Sequence, residues 1–286
     1  MQKYINEFIE FKRGGKLKES SARDYLCSLN RFNSIVQKPL EKVEISDIVK
    51  FREMLKLRYA PKSVEHDLTI LHCFIKFWNP EVKCISHERI EIPTAKSNPH
   101  LTITEQEYRQ MLSVLPEDNY DDLQKRLSLN ILWDCGCRVG ELVSINLDDM
   151  DFDNMKVRID TEKTKKERVL FWSEETKKTL CKMLPIRWEI KRSNALLIGT
   201  YNSGEYSNRL TTRTIEKWFR DICKKANIVR KITPHSFRHS RIQRWISTGL
   251  DLISTTYLTG HQSINSLEHY MRLGSAQVEV LARKAM

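Results

Sequence analysis

Apolar residues recur at helical spacing through the first ninety positions, and then the pattern stops. Tyr4, Ile5, Phe8, Ile9 and Phe11 form one stripe, the spacing that stacks side chains on a single helix face. Gly14 and Gly15 end it. Residues 20–36 carry Tyr25, Leu26, Leu29, Phe32 and Val36. Ser46 is a good N-cap for a helix over 47–57, with Asp47 favourable in its first turn. A fourth stripe over 63–78 holds Val64, Leu68, Leu71, Phe74, Ile75 and Trp78. Four such helices, with lysines and arginines between the stripes, fit a bundle with one basic face. The next ten residues, 91–100, contain two prolines and small residues with no period, the mark of a linker. The chain therefore divides at 1–90, a linker at 91–101, a larger unit at 102–274 and a tail at 275–286.

The larger unit mixes periods. Thr104 and Glu107 fit a capping box before a helix to about residue 115, and another helix spans 121–133. Over 155–172 the period changes to two: Val157 and Ile159 alternate with polar residues, then Val169 and Phe171 do the same. The polar stretch between them, Thr161-Glu162-Lys163-Thr164-Lys165-Lys166, reads as the tip of a β-hairpin. Ser173 caps a helix to about 184, 195–199 is a short strand, and helices follow over 211–226, 234–248, 251–258 and 264–272. The fold class is mainly α with a small β-hairpin or sheet (α+β).

Lysine and arginine number 48 against 37 acidic residues, a net charge of +11. Such a balance biases a chain toward polyanions. Seven cysteines with no CxxC pair exclude a secreted disulfide framework and a zinc site. The N-terminus has no signal-peptide core and no apolar run reaches the length of a membrane span. The expectation is a soluble, cytoplasmic protein with no membrane contact.

Four segments carry residue types suited to phosphate. In Gly136-Cys137-Arg138-Val139-Gly140-Glu141-Leu142, Arg138 stands at a helix start, where exposed N–H groups favour anions. Taken alone, Arg138 and Glu141 are an ordinary helix pair worth roughly 0.2–0.5 kcal/mol. At the hairpin tip, Lys163, Lys165 and Lys166 are each placed to give a proton to a leaving oxygen, and charge alone does not choose among them. In Thr233-Pro234-His235-Ser236-Phe237-Arg238, Thr233 is an N-cap and Pro234 fits the first helical position, so His235 and Arg238 share a face at the helix start. Gly260 fits a helix C-cap with His261 in the following turn, and Tyr270 lies nine positions on. A lone histidine or tyrosine in such places is more often a packing residue.

Taken jointly, the order Arg, Lys, His-x-x-Arg, His, Tyr resembles the tyrosine recombinase (phage integrase) family, in its Xer-like branch, over nearly the whole chain. Residues 137–142 match the family's first-arginine box, with Gly140 where serine is common. Residues 162–168 look like its Gly-Lys-Gly-x-Lys-x-Arg turn, with Glu162 and Thr164 replacing the glycines. The resemblance implies a helical core-binding (SAM-like) DNA-binding domain at 1–90 and a catalytic domain at 102–274, clamped around DNA. It assigns the catalytic set as Arg138, Lys163, His235, Arg238, His261 and Tyr270. Tyr270 would attack a phosphodiester to give a 3′-phosphotyrosine and a 5′-hydroxyl. The two arginines would hold the non-bridging oxygens, Lys163 would protonate the leaving oxygen, His235 would assist proton transfer at Tyr270, and His261 would hydrogen-bond the phosphate. His239 is read as lying behind this set and His269 as exposed.

No metal, ATP or other cofactor is implied. The implied partner is a double-stranded DNA recombination site, with a homo-tetramer on two duplexes, a monomer or dimer when free, and the 275–286 tail docking on a neighbouring protomer. The use would be Xer-like dimer resolution or mobile-element integration and excision. A type IB topoisomerase-like enzyme shares the chemistry without exchanging partners, and a catalytically decayed DNA-binding regulator would share the fold.

Overall fold

The computed structural model describes residues 1–15, 17–79, 81, 86–94, 101–160, 167–200, 206–261, 263–270 and 283. It falls into two compact units, Met1–Pro99 and His100–Met286.

The first unit packs α1 (Gln2–Gly14), α2 (Glu19–Val36), α3 (Ile45–Lys56) and α4 (Pro61–Trp78). Their stripes meet in a core that includes Phe8, Leu29, Phe32, Phe51, Leu68 and Phe74. Aromatic rings fix its geometry, with Phe8 and Phe74 edge-to-face at 5.4 Å and Phe32 and Phe51 at 5.1 Å. Two helix starts differ from the sequence reading. Glu44, not Ser46, is the N-cap of α3, because the Asp47 carboxylate accepts the Glu44 backbone N–H at 2.9 Å and closes a capping box. The fourth helix begins at Pro61, where proline's fixed φ suits the first helical position.

The second unit holds α5 (Glu105–Ser113), α6 (Tyr120–Cys135), α7 (Val139–Ser144), α8 (Glu174–Glu189), α9 (Thr212–Lys225), α10 (Pro234–Ser247) and α11 (Leu252–Thr259). The Thr104–Glu107 capping box is present, with Thr104 Oγ1 accepting the Glu107 N–H at 3.2 Å. A three-stranded antiparallel sheet runs β1 (Met150–Asp151), β2 (Lys156–Asp160), β3 (Glu167–Phe171). Its register pairs Val157 with Leu170 and Ile159 with Arg168. This reverses the inward face expected for β3: Arg168 and Leu170 are buried, and Phe171 is 57% exposed. The physical reason is Glu141, a buried carboxylate behind the sheet that draws Arg168 inward.

A second antiparallel pair joins β4 (Ile198–Thr200) to β5 (Tyr206–Arg209). The strand expected over 195–199 thus sits further along, and Ala195 makes an isolated bridge to Asn146 instead. Within the helix expected over 264–272, Ile264–Tyr270 is 3-10 helix, and 271–272 lie outside the described residues. Among the described residues no helix is long and apolar enough to cross a membrane. Most of the tail at 275–286 and the hairpin tip at 161–166 lie outside the described residues.

Candidate active site

Two backbone turns meet at Arg238 of α10, and the start of that helix is the third part of the site. The first is the α6–α7 corner. Gly136 ends α6 in the left-handed region, at φ +58. A Cβ there would lie 2.9 Å from the Arg241 Cβ, so glycine is required on both conformational and steric grounds. Arg138 is the N-cap of α7. Its backbone N–H donates to Glu141 Oε2 at 2.7 Å and its Nη1 donates to Glu141 Oε1 at 3.0 Å. The Arg138 side chain is about a third exposed (35%), which leaves its guanidinium accessible.

Glu141 is more than a helix partner. Arg168 of β3, 2% exposed, donates from Nη2 to Glu141 Oε2 at 2.6 Å and from Nε to the Leu258 carbonyl at 2.9 Å. Burial alone would push the Glu141 carboxyl up. The Arg168 hydrogen bond and charge, helped by Arg138, hold it below the usual carboxylate range. One carboxylate therefore ties the α7 start to the sheet, and Arg168 ties the sheet to α11.

The second turn is the end of α11. Gly260 caps it in the left-handed region, at φ 65. His261 Nδ1 lies 2.8 Å from Thr259 Oγ1. Thr259 Oγ1 gives its hydrogen to the Thr255 carbonyl at 2.7 Å, so His261 Nδ1 is the donor in that pair.

The third is the start of α10, where Thr233 is the N-cap and Pro234 the first helical residue. Arg238 is 4% exposed. Its Nη1 donates to the Gly136 carbonyl at 2.9 Å and its Nη2 to the Thr259 carbonyl at 2.6 Å. It thus joins the Arg138 corner to the His261 turn. Burial, then the charge of Arg138, pulls the Arg238 guanidinium down to about 10, so it is charged at neutral pH. His235 is exposed at the helix start. Partial desolvation and the charges of Arg238 and Arg138 hold it below the ordinary histidine range.

Tyr270 closes the arrangement. It is half-buried and packs against Ile242, Ile246 and Leu267. Its hydroxyl meets Nδ1 of His239. Burial pushes the phenol up to about 12, opposed by the charge of Arg238.

The structure thus gathers Arg138, His235, Arg238, His261 and Tyr270 around the N-terminal half of α10. Lys163 lies outside the described residues, as does the side chain of His269. The flanking β2 and β3 project from the same sheet that Arg168 anchors beside Glu141. Sequence reasoning gave Arg168 no role and set His239 behind the site. No sequence signal marked the first, because the strand's alternation put Val169 and Phe171 on the inward face and Arg168 outside it. The i, i+4 spacing of His235 and His239 was the signal for the second.

Residues 102–276 match the phage integrase family. The chain belongs to that family. Among curated relatives, this phage integrase family member is similar to the tyrosine recombinase XerC of Chlamydia caviae (strain ATCC VR-813 / DSM 19441 / 03DC25 / GPIC), 25% identical over 93% of this chain and 85% of the relative. Among solved structures it resembles the XerH site-specific recombinase bound to palindromic difH substrate in a post-cleavage complex, with a TM-score of 0.76 at 17% identity, covering 92% of this chain and 79% of that one. It also resembles the Tn1549 transposon integrase in complex with a circular intermediate DNA, with a TM-score of 0.77 at 18% identity, covering 99% and 98%. The chain is a phage integrase family tyrosine recombinase of the Xer-like kind, mostly helical with small antiparallel sheets.

Proposed function

We propose that this chain is a site-specific DNA recombinase that cuts and rejoins strands through a 3′-phosphotyrosine at Tyr270. The observation that carries the reading is that Arg138, Arg238 and the His261 turn are joined at the start of α10 while Tyr270 packs further along the same helix, all inside the region that matches the family. XerH and the Tn1549 integrase, the neighbours in fold, were solved with DNA, and the net charge of +11 suits the same partner here.

In this reading Tyr270 attacks the phosphorus and covalent catalysis splits one hard step into two. Arg138 holds one non-bridging oxygen through its accessible guanidinium. Arg238 spends two of its five N–H donors on the Gly136 and Thr259 carbonyls and turns others to the phosphate. Being fixed before the substrate arrives, both stabilise the charge of the pentacoordinate transition state without reorganising. His261 hydrogen-bonds the phosphate, His235 serves the proton traffic around it, and Lys163 protonates the leaving 5′-oxygen. The ester keeps the bond energy, so a 5′-hydroxyl from a partner strand reverses the step.

Residues 1–90 are the core-binding domain that grips the duplex, and a linker at 91–101 joins them to the catalytic domain at 102–274. Four protomers act on two duplexes, and residues 275–286 dock on the neighbouring protomer.

The test uses a pool of duplexes, each nicked beside a randomised core, so that cleavage is trapped. Wild-type protein forms covalent adducts, and Tyr270→Phe binds the captured sequences without forming any. An adduct persisting in Tyr270→Phe sinks the assignment, with Tyr257 the nearest alternative. The captured sequence also separates the two uses of the chemistry: a palindrome with a short spacer marks dimer resolution, and an element end marks integration or excision.

A further inference from the structure

Helix α10 presents two histidines, four residues apart on one face, and the structure puts the second of them on the nucleophile. His239 Nδ1 meets the Tyr270 hydroxyl. The two ring centroids are 5.7 Å apart with planes tilted by 32°. His235, to which the family resemblance gives proton transfer at Tyr270, is exposed, and its centroid lies 6.5 Å from that of His239. Ile242 and Ile246, on the following turns of the same helix, hold the Tyr270 ring with Leu267. Hydroxyl and imidazole are therefore set against each other by packing as well as by their hydrogen bond. Among the described residues, the charge of Arg238 acts on Tyr270, and Arg238, Arg138 and Glu216 act on His235.

Resting on the reading of Tyr270 as the nucleophile, we propose that His239 orients the Tyr270 hydroxyl and takes its proton during attack. Burial supplies the need. A phenol pushed up to about 12 is protonated at neutral pH, so a base has to receive the proton as the new bond forms. Accepting through Nδ1 requires the tautomer with its hydrogen on Nε2.

The step balances without a further reactant. The Tyr270 O–H bond breaks and the proton passes to His239 Nδ1. The phenolic oxygen's electron pair forms the P–O bond, and the P–O5′ bond breaks. The departing 5′-oxygen takes the proton of the general acid, Lys163 in the reading above. On rejoining, a 5′-hydroxyl returns a proton to that acid, and His239 gives one back to Tyr270.

The test measures adduct formation from the nicked-duplex pool by the full chain across pH, for wild type, His239→Gln and His239→Ala. Glutamine keeps a polar group of similar size and does not titrate. Both variants are expected to lose about a hundredfold in cleavage rate, the lower end for general acid–base catalysis. The acidic limb of the wild-type profile, where the imidazole is protonated and cannot accept, is expected to vanish in His239→Gln. Free imidazole in the millimolar range is expected to restore part of the rate to His239→Ala, an effect a purely structural role does not give. A wild-type rate and acidic limb in His239→Gln overturn the proposal. So does the absence of imidazole rescue in His239→Ala protein whose circular dichroism matches wild type. Tyr270→Phe separates the two claims: an adduct there removes the nucleophile on which the proposal rests. Loss of the adduct there, with His239→Gln unaffected, removes the role of His239 alone.

Discussion

A guanidinium carries five N–H donors, and burying one takes them away from water. Among the described residues three are buried, and each donates to at least one backbone carbonyl. Arg187 closes the end of α8 onto Ala195 and Ile190, Arg168 reaches Leu258, and Arg238 reaches Gly136 and Thr259. Arg168 also neutralises Glu141. Removing it strands a buried carboxylate, which costs roughly 3–5 kcal/mol for a buried pair. Arg138 keeps hold of the other carboxylate oxygen, so Arg168→Met is expected near the low end, about 3 kcal/mol. The urea unfolding midpoint measures it, and a midpoint unchanged from wild type would contradict the buried pairing. A second carboxylate gives a pH test. The Arg230 side chain, hydrogen-bonded to Glu107, pulls that carboxyl from 4.5 down to about 2. A depressed carboxylate stabilises the fold fully above its unfolded pKa and loses that contribution as pH falls through the folded one. Wild type should therefore lose stability between about pH 4.5 and pH 2, and Glu107→Gln should lose less over that window; equal losses would deny Glu107 the part. In sequence these arginines look like any other of the chain's basic residues. Residue type does not report burial when a carbonyl rather than an acid is the partner, so Arg238 was legible from its His-x-x-Arg setting and Arg187 was not.

The elements differ in how far their pattern reports their placement. The helices of the first unit each bury one stripe against the others, and their periodicity is clean. Strand β3 faces two demands at once. Its residues alternate correctly, but the inward positions are Arg168 and Leu170, so hydrophobicity pointed to Val169 and Phe171. A slip of one residue in a strand flips every side chain to the other face. The assignment is checked by a pair of truncations. Leu170→Ala is expected to cost about 2–5 kcal/mol, the range for large-to-small changes in a core. Phe171→Ala is expected within about 0.5 kcal/mol, as for other exposed positions. Denaturation midpoints showing the reverse order would restore the opposite register. Strand β5 was missed for a related reason, since Tyr206-Ser207-Asn208-Arg209 carries little apolar signal and pairs with β4 along one edge only.

At the scale of the whole molecule, each unit has its own core: residues such as Phe8, Phe51 and Phe74 in the first, and Met111, Leu132, Leu197 and Phe237 in the second. A segment of 1–94 is therefore expected to unfold cooperatively by itself, with the helical circular dichroism of four packed helices. A featureless, non-cooperative melt would mean that it depends on the second unit. The two compact units divide between Pro99 and His100, within the stretch where the apolar period lapses. The assembly of the site was less legible than that lapse, since its contacts span long separations: Arg238 reaches Gly136 across 102 residues, Arg168 reaches Leu258 across 90. That reach has a consequence for the order in which the protein comes into being. A chain emerging from the ribosome carries Arg138 long before it carries Thr259, and the guanidinium of Arg238 has only half of its carbonyl partners until α11 is complete. The Thr259 carbonyl that completes the hold on the Arg238 guanidinium is therefore among the last pieces of the site to be made.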